Sequence, residues 1–152
     1  MRPLRMMSVF VLVALAAAGC GGDDGVSVEG AWARSSPMMA SAGAAYMNLT
    51  AGDADRLIGA SVDSSIAGRV EIHETSMMEG GEGEMEGQMM MREVGEIALP
   101  AGETVSLRPG GLHIMLLQLP EPLTVGQTFE LTLDFENAGE QVVEIEVREE
   151  AP

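Results

Sequence analysis

The stretch ELTLDFENAGEQVVEIEVR (Glu130–Arg148) decides the fold class. Its first arm sets Leu131, Leu133 and Phe135 against Glu130, Thr132 and Asp134. Its second sets Val143, Ile145 and Val147 against Glu144, Glu146 and Arg148. Successive side chains of a strand point to opposite faces, so a period of two describes strands with one face buried and one wet. Asn137–Ala138–Gly139 between the arms is turn chemistry. Working outward, the same alternation recurs at Val26–Val28, at Ala45–Met47–Leu49 against Tyr46–Asn48, and at Val70–Ile72 against Glu71–His73. Pro100–Gly102, Pro109–Gly111 and Pro122–Gly126 punctuate the remaining runs. Roughly seven to nine short strands at about 8–12-residue spacing, without a long helical period, predict an all-β chain: one antiparallel β-sandwich domain over residues 26–150.

The N-terminus is a separate object. Arg2 and Arg5 precede the apolar run VFVLVALAAAG (Val9–Gly19), so residues 1–19 read as a secretory signal peptide, too short for a spanning helix. Leu15–Ala–Ala–Ala–Gly19–Cys20 resembles a bacterial lipoprotein signal, which implies lipidation of Cys20. The alternative is ordinary cleavage that leaves Cys20 a free thiol. Residues 20–25 then form a lipidated tether, and the domain is extracytoplasmic, in the periplasm or on the outer face of the cell membrane, held to the membrane by its lipid. Beyond residue 19, six arginines face twenty-four acids, a net charge of −18, and the chain has no lysine. Such a surface repels nucleic acid, which is excluded as a partner, and concentrates cations.

Methionine is in surplus: thirteen in 152 residues. Met77–Met90 (MMEGGEGEMEGQMM) has no periodicity and no β-branched residue, so 77–90 reads as a polar loop. It nevertheless carries Met77, Met78, Met85, Met89 and Met90. Exposed methionine buries nothing, so packing does not account for them, whereas soft thioether ligation does.

The only histidines are His73 and His113. In Leu112–His113–Ile114–Met115–Leu116, a period of two puts His113 and Met115 on one outward face, with the aliphatics turned inward. His73 takes the outward face of another strand, and a loop end at Met89, Met90 and Met91 can close over both. Neutral, soft thioethers favour Cu(I) over zinc or hard cations. In an oxidising compartment methionine also escapes the disulfide chemistry that claims cysteine. With no spare Cys, a structural zinc site is disfavoured. The plain alternative is a metal-free interaction module in which these are ordinary surface residues. An enzyme is disfavoured, because no Ser/His/Asp order, Cys/His pair or paired acids stand out.

These residues resemble the PCuAC family of copper chaperones, whose pattern is His, ten residues, Met, twenty-one residues, His-x-Met. Residues 92–112, twenty-one in number, separate Met91 from His113, and Met115 completes the motif. Ala31–Trp32–Ala33–Arg34, Gly43–Ala–Ala–Tyr46–Met47, Val70–Glu–Ile–His73–Glu74 and Pro109–Gly–Gly–Leu–His113 fit the same family style, from about Val26 to Val147. One departure stands out: residues 74–90, seventeen in number, lie between His73 and Met91. A seven-residue insertion in the Gly/Glu/Met loop accounts for it. Met91 keeps the spacing to His113, while Met89 or Met85 could substitute for it. The resemblance implies a cupredoxin-like sandwich with a surface Cu(I) held by His73, Met91, His113 and Met115. It further implies delivery of copper to the CuA subunit of cytochrome c oxidase, alongside a Sco-type thiol copper protein. A sequestering or resistance role is the alternative, in which Met77, Met78, Met85, Met89 and Met90 bind secondary copper.

Overall fold

The computed structural model describes residues 25–37, 40–77 and 89–152. The signal peptide, Cys20, Met78 and Met85 lie outside them. The alternating segments form ten strands: β1 (Val26–Arg34), β2 (Ala42–Ala51), β3 (Asp55–Val62), β4 (Arg69–Met77), β5 (Met89–Glu93), β6 (Ile97–Leu99), β7 (Thr104–Leu107), β8 (Leu112–Leu117), β9 (Thr128–Phe135) and β10 (Gly139–Arg148). The period-two reading holds where it decided the class. Leu131, Leu133, Ile145 and Val147 are fully buried, while their Glu130 and Glu144 neighbours are exposed. Gly139, with φ of 76°, supplies the left-handed backbone that closes the β9–β10 hairpin.

The strands run in the order β5-β4-β8-β2-β1-β10-β9-β3-β6, with β7 beside β2. The path folds on itself into a sandwich around one core, which gathers Leu49 of β2, Ile72 of β4 and Ile114 of β8 with Leu57 of β3 and Leu133 of β9. Two expectations are corrected. The described residues form ten strands, because the short β6 and β7 are too brief to show a period. The sandwich is also not wholly antiparallel: β1 pairs with β10 in parallel, Trp32↔Glu146 to Arg34↔Arg148. The same strand pairs antiparallel with β2, and its register shifts between Glu29 and Trp32. Gly30 sits inside that bulge with φ of 60°, the conformation a bulge asks of glycine. The bend lets one strand serve both layers.

The expected loop 77–90 is shorter than the sequence suggests. Met77 ends β4 and pairs with Met89, and Met90 pairs with Ser76. Methionine and serine lack the β-branched signature, so this ladder was invisible to composition. The eleven residues 78–88 join the two strands. Removing seven would leave four, an ordinary hairpin loop. The β4–β5 ladder runs from His73↔Glu93 to Met77↔Met89, so a change confined to 78–88 would leave its register untouched.

Candidate metal centre

Strand β4 lies between β5 and β8, and this order brings the two histidines together. His73 and His113 are direct partners across the β4–β8 ladder. Their ring centres are 5.9 Å apart. Two pairs further along, Glu71 faces Met115, and on the other side His73 faces Glu93 while Thr75 faces Met91. Partners across a ladder share a face, as do residues two apart on a strand. His73, Met91, His113 and Met115 therefore lie on one face of three adjacent strands. Met89 shares that face, whereas Met90 takes the opposite one.

This face is not open to solvent around the histidines, which corrects the outward, surface placement. His113 is 3% exposed, and the His73 side chain 14%. The cover is aromatic. Trp32 of β1 and Tyr46 of β2 are both buried yet stand apart from the main core. Ring centres run from Trp32 to Tyr46 at 4.9 Å, from Tyr46 to His113 at 6.3 Å, then to His73. Four rings thus cross β1, β2, β8 and β4 in a row. Period two says which face a residue takes, but not whether neighbouring strands cover it. Met91, by contrast, is 53% exposed. Met115 borders a shallow groove of about 230 Å³ that Arg34, Ser36, Tyr46 and Gly43 also line.

Each histidine is held by one ring nitrogen. His113 Nδ1–H donates to the Gly111 carbonyl at 2.9 Å, and His73 Nε2–H donates to Glu71 Oε2 at 2.7 Å. The other two nitrogens, His113 Nε2 and His73 Nδ1, are buried with no hydrogen-bond partner among the described residues. A buried polar atom without a partner costs roughly 1–3 kcal/mol, so a pair of them asks for an explanation. Burial pushes the His113 pKa below its ordinary value, and the neighbouring His73 acts in the same direction against the Gly111 bond. The imidazole is therefore neutral at physiological pH, its lone pair free. Two bare imidazole nitrogens beside two thioethers make a neutral, soft donor set. An imidazole nitrogen sits about 2 Å from a bound metal, so ring centres about 6 Å apart suit two rings sharing one ion.

Glu71 is the residue that the sequence reading left among solvent-facing acids. Its side chain is 10% exposed, bonded to His73 and paired with Arg69 Nη2 at 2.5 Å. A carboxylate on the distal nitrogen fixes the tautomer of a ligating histidine. The signal was legible in period two: Glu71 lies two residues before His73 on one strand, hence on its face. Tyr46 had no such signal, since its meeting with His113 depends on which strands are neighbours. Of the secondary methionines, Met77, Met89 and Met90 fall in the β4–β5 ladder, while Met78 and Met85 lie outside the described residues.

Known structures share this arrangement of strands. The copper-bound PCuAC domain from PmoF2 is 28% identical, with TM-score 0.62 over 84% of this chain and 93% of that one. The Cu(I) form of DR1885 from Deinococcus radiodurans is 29% identical, with TM-score 0.61 over 88% of this chain and 83% of that one. Its apo form matches 99% of this chain and 95% of that one, at 28% identity and TM-score 0.59. Among curated proteins, "Putative lipoprotein Lxx21020" of Leifsonia xyli subsp. xyli (strain CTCB07) is 33% identical over 126 residues, 83% of this chain and 71% of that protein. The family model described as "Putative lipoprotein LpqE-like" matches residues 26–147, and with these structural relatives it shows that the chain belongs to the LpqE-like, PCuAC-type lipoprotein family.

Proposed function

We propose that the protein is an extracytoplasmic, lipid-anchored Cu(I) chaperone that holds its cargo with His73, Met91, His113 and Met115. The observation that carries this reading is the pair of buried imidazoles with His73 Nδ1 and His113 Nε2 bare. Met91 and Met115 share their face, and two relatives of the same fold are described as copper-bound and Cu(I)-bound. Four neutral donors leave the ion its single positive charge, and the Glu71 carboxylate behind His73 offsets it. Copper enters without displacing a proton from the thioethers, so a partner can remove them one at a time. The exposed Met91 and the groove beside Met115 leave two sides of the site approachable. The acceptor in this reading is the CuA subunit of cytochrome c oxidase, with a Sco-type thiol protein as co-worker.

Anaerobic Cu(I) titration of the domain from Gly21 against a competing chelator tests the site. One tight ion is expected, and His113→Gln should weaken it by at least about tenfold. An unchanged affinity would remove the assignment. A second reading, sequestration, draws on the exposed Met89 and Met90. A deletion strain separates the two: delivery predicts low oxidase activity in scarce copper, sequestration predicts sensitivity to excess copper.

A further inference from the structure

The β4–β5 hairpin carries sulfur that the four-ligand site does not use. Met89 is 63% exposed and Met91 53%, and they lie two residues apart on one face of β5. Met90, 45% exposed, takes the other face. All five residues of β5 are exposed, and β5 is the terminal strand of the sheet path. Core packing therefore explains none of these methionines. The ladder register sets the Met89–Met91 face in line with His73, and through His73 with His113. Exposure falls in one direction along that face: 63% at Met89, 53% at Met91, 14% at the His73 side chain and 3% at His113.

We propose that Met89 and Met91 form an entry site, where Cu(I) is captured from a soft-ligand donor before it moves inward to the histidine pair. This rests on the chaperone reading above. Met91 is common to both positions. Cu(I) held by the two thioethers gains His73 Nδ1, and the Met89 sulfur leaves as His113 Nε2 and Met115 complete the inner set. The sequence is ligand exchange throughout: copper remains Cu(I) and no electron moves. Two exposed thioethers bind weakly, because each methionine side chain gives up rotamer freedom when it is fixed. Weak, soft capture is what a transfer position requires. Glu93, opposite His73 in the register, adds cation attraction along the route, but its hard oxygens do not select Cu(I).

Anaerobic stopped-flow loading from the Cu(I)–bicinchoninate complex tests this with the purified protein. Met89→Leu should leave the affinity of the inner site within about twofold, yet slow loading about fivefold or more. Met90→Leu, on the opposite face, should change neither. With methyl-labelled methionine and Ag(I) as a redox-inert probe, the Met89 methyl resonance should shift and the Met90 resonance should not. Loading of Met89→Leu at the wild-type rate overturns the entry site. So does equal slowing by Met90→Leu, which would mean a general surface effect. A large loss of inner-site affinity in Met89→Leu makes Met89 a primary ligand and also overturns it. A wild-type protein with no tight Cu(I) fails the chaperone reading instead, and the Ag(I) shifts then report separately on whether Met89 captures a soft ion.

Discussion

At Glu71, one hydrogen bond decides which nitrogen of His73 is available. Glu71→Ala should weaken Cu(I) binding roughly tenfold or more, as loss of such an outer partner commonly does. Glu71→Gln, which retains an acceptor for Nε2–H, should recover part of the loss; equal loss in both would show that charge rather than orientation matters. His113 makes a second prediction, read as stability against pH. Its folded pKa lies below the ordinary 6.5 because burial disfavours the imidazolium. The unfolded chain thus binds the proton more readily, and stability is full above 6.5 and declines as pH falls toward the lowered value. Urea unfolding of the metal-free protein between pH 7.5 and 5 should show that decline, and His113→Gln should flatten it. Identical slopes would deny His113 the role. The legible part at this scale was residue type and face; that His113 is covered was not, since its ring neighbour Tyr46 comes from another strand.

Among the elements, the β9–β10 hairpin is tied to the start of β3 by Asp55. Its carboxylate accepts the backbone N–H groups of Asn137 at 2.9 Å and Ala138 at 2.9 Å, the Asn137 side-chain amide at 3.2 Å, and its neighbour Arg56 N–H at 2.7 Å. Burial by itself would raise the Asp55 pKa, but these donors together outweigh it and hold the carboxyl below its ordinary 3.8. Asp55→Ala strands those amides and should cost about 2–4 kcal/mol, measured by denaturant unfolding. The Asp55 contribution is present above 3.8 and lost as pH falls through the lowered value. An Asp55→Ala cost under about 0.5 kcal/mol would mean water replaces the carboxylate. The second element is the β4–β5 hairpin. Deleting Gly80–Glu86 should preserve the inner copper site, because the ladder from His73↔Glu93 to Met77↔Met89 lies outside the deletion. Loss of the tight ion in that variant would place a primary ligand, with Met85 first in line, inside the deleted segment. Strand β5 and the end of β4 escaped the sequence reading because methionine-rich segments have neither β-branching nor a polar alternation.

For the molecule as a whole, an anchored carrier predicts that labelled fatty acid appears on the expressed wild-type protein. Cys20→Ser should abolish both the label and membrane association; a soluble, unlabelled wild type would leave Cys20 a plain thiol. Net charge belongs to this scale too, since acids and arginines contribute to it whatever the fold. The sequence by itself determined the all-β class, the face taken by residues of the alternating strands and the chemistry of the donors. Alternation is a local property of an extended chain, and thioether softness is a property of the side chain alone. Tertiary structure decided the rest: that β1 bends at Gly30 to join both layers, that β4 inserts between β5 and β8, and that the two histidines end up paired and covered. Those outcomes depend on contacts between segments far apart in the chain, where many strand orders satisfy the same alternation and only burial of the common core selects one.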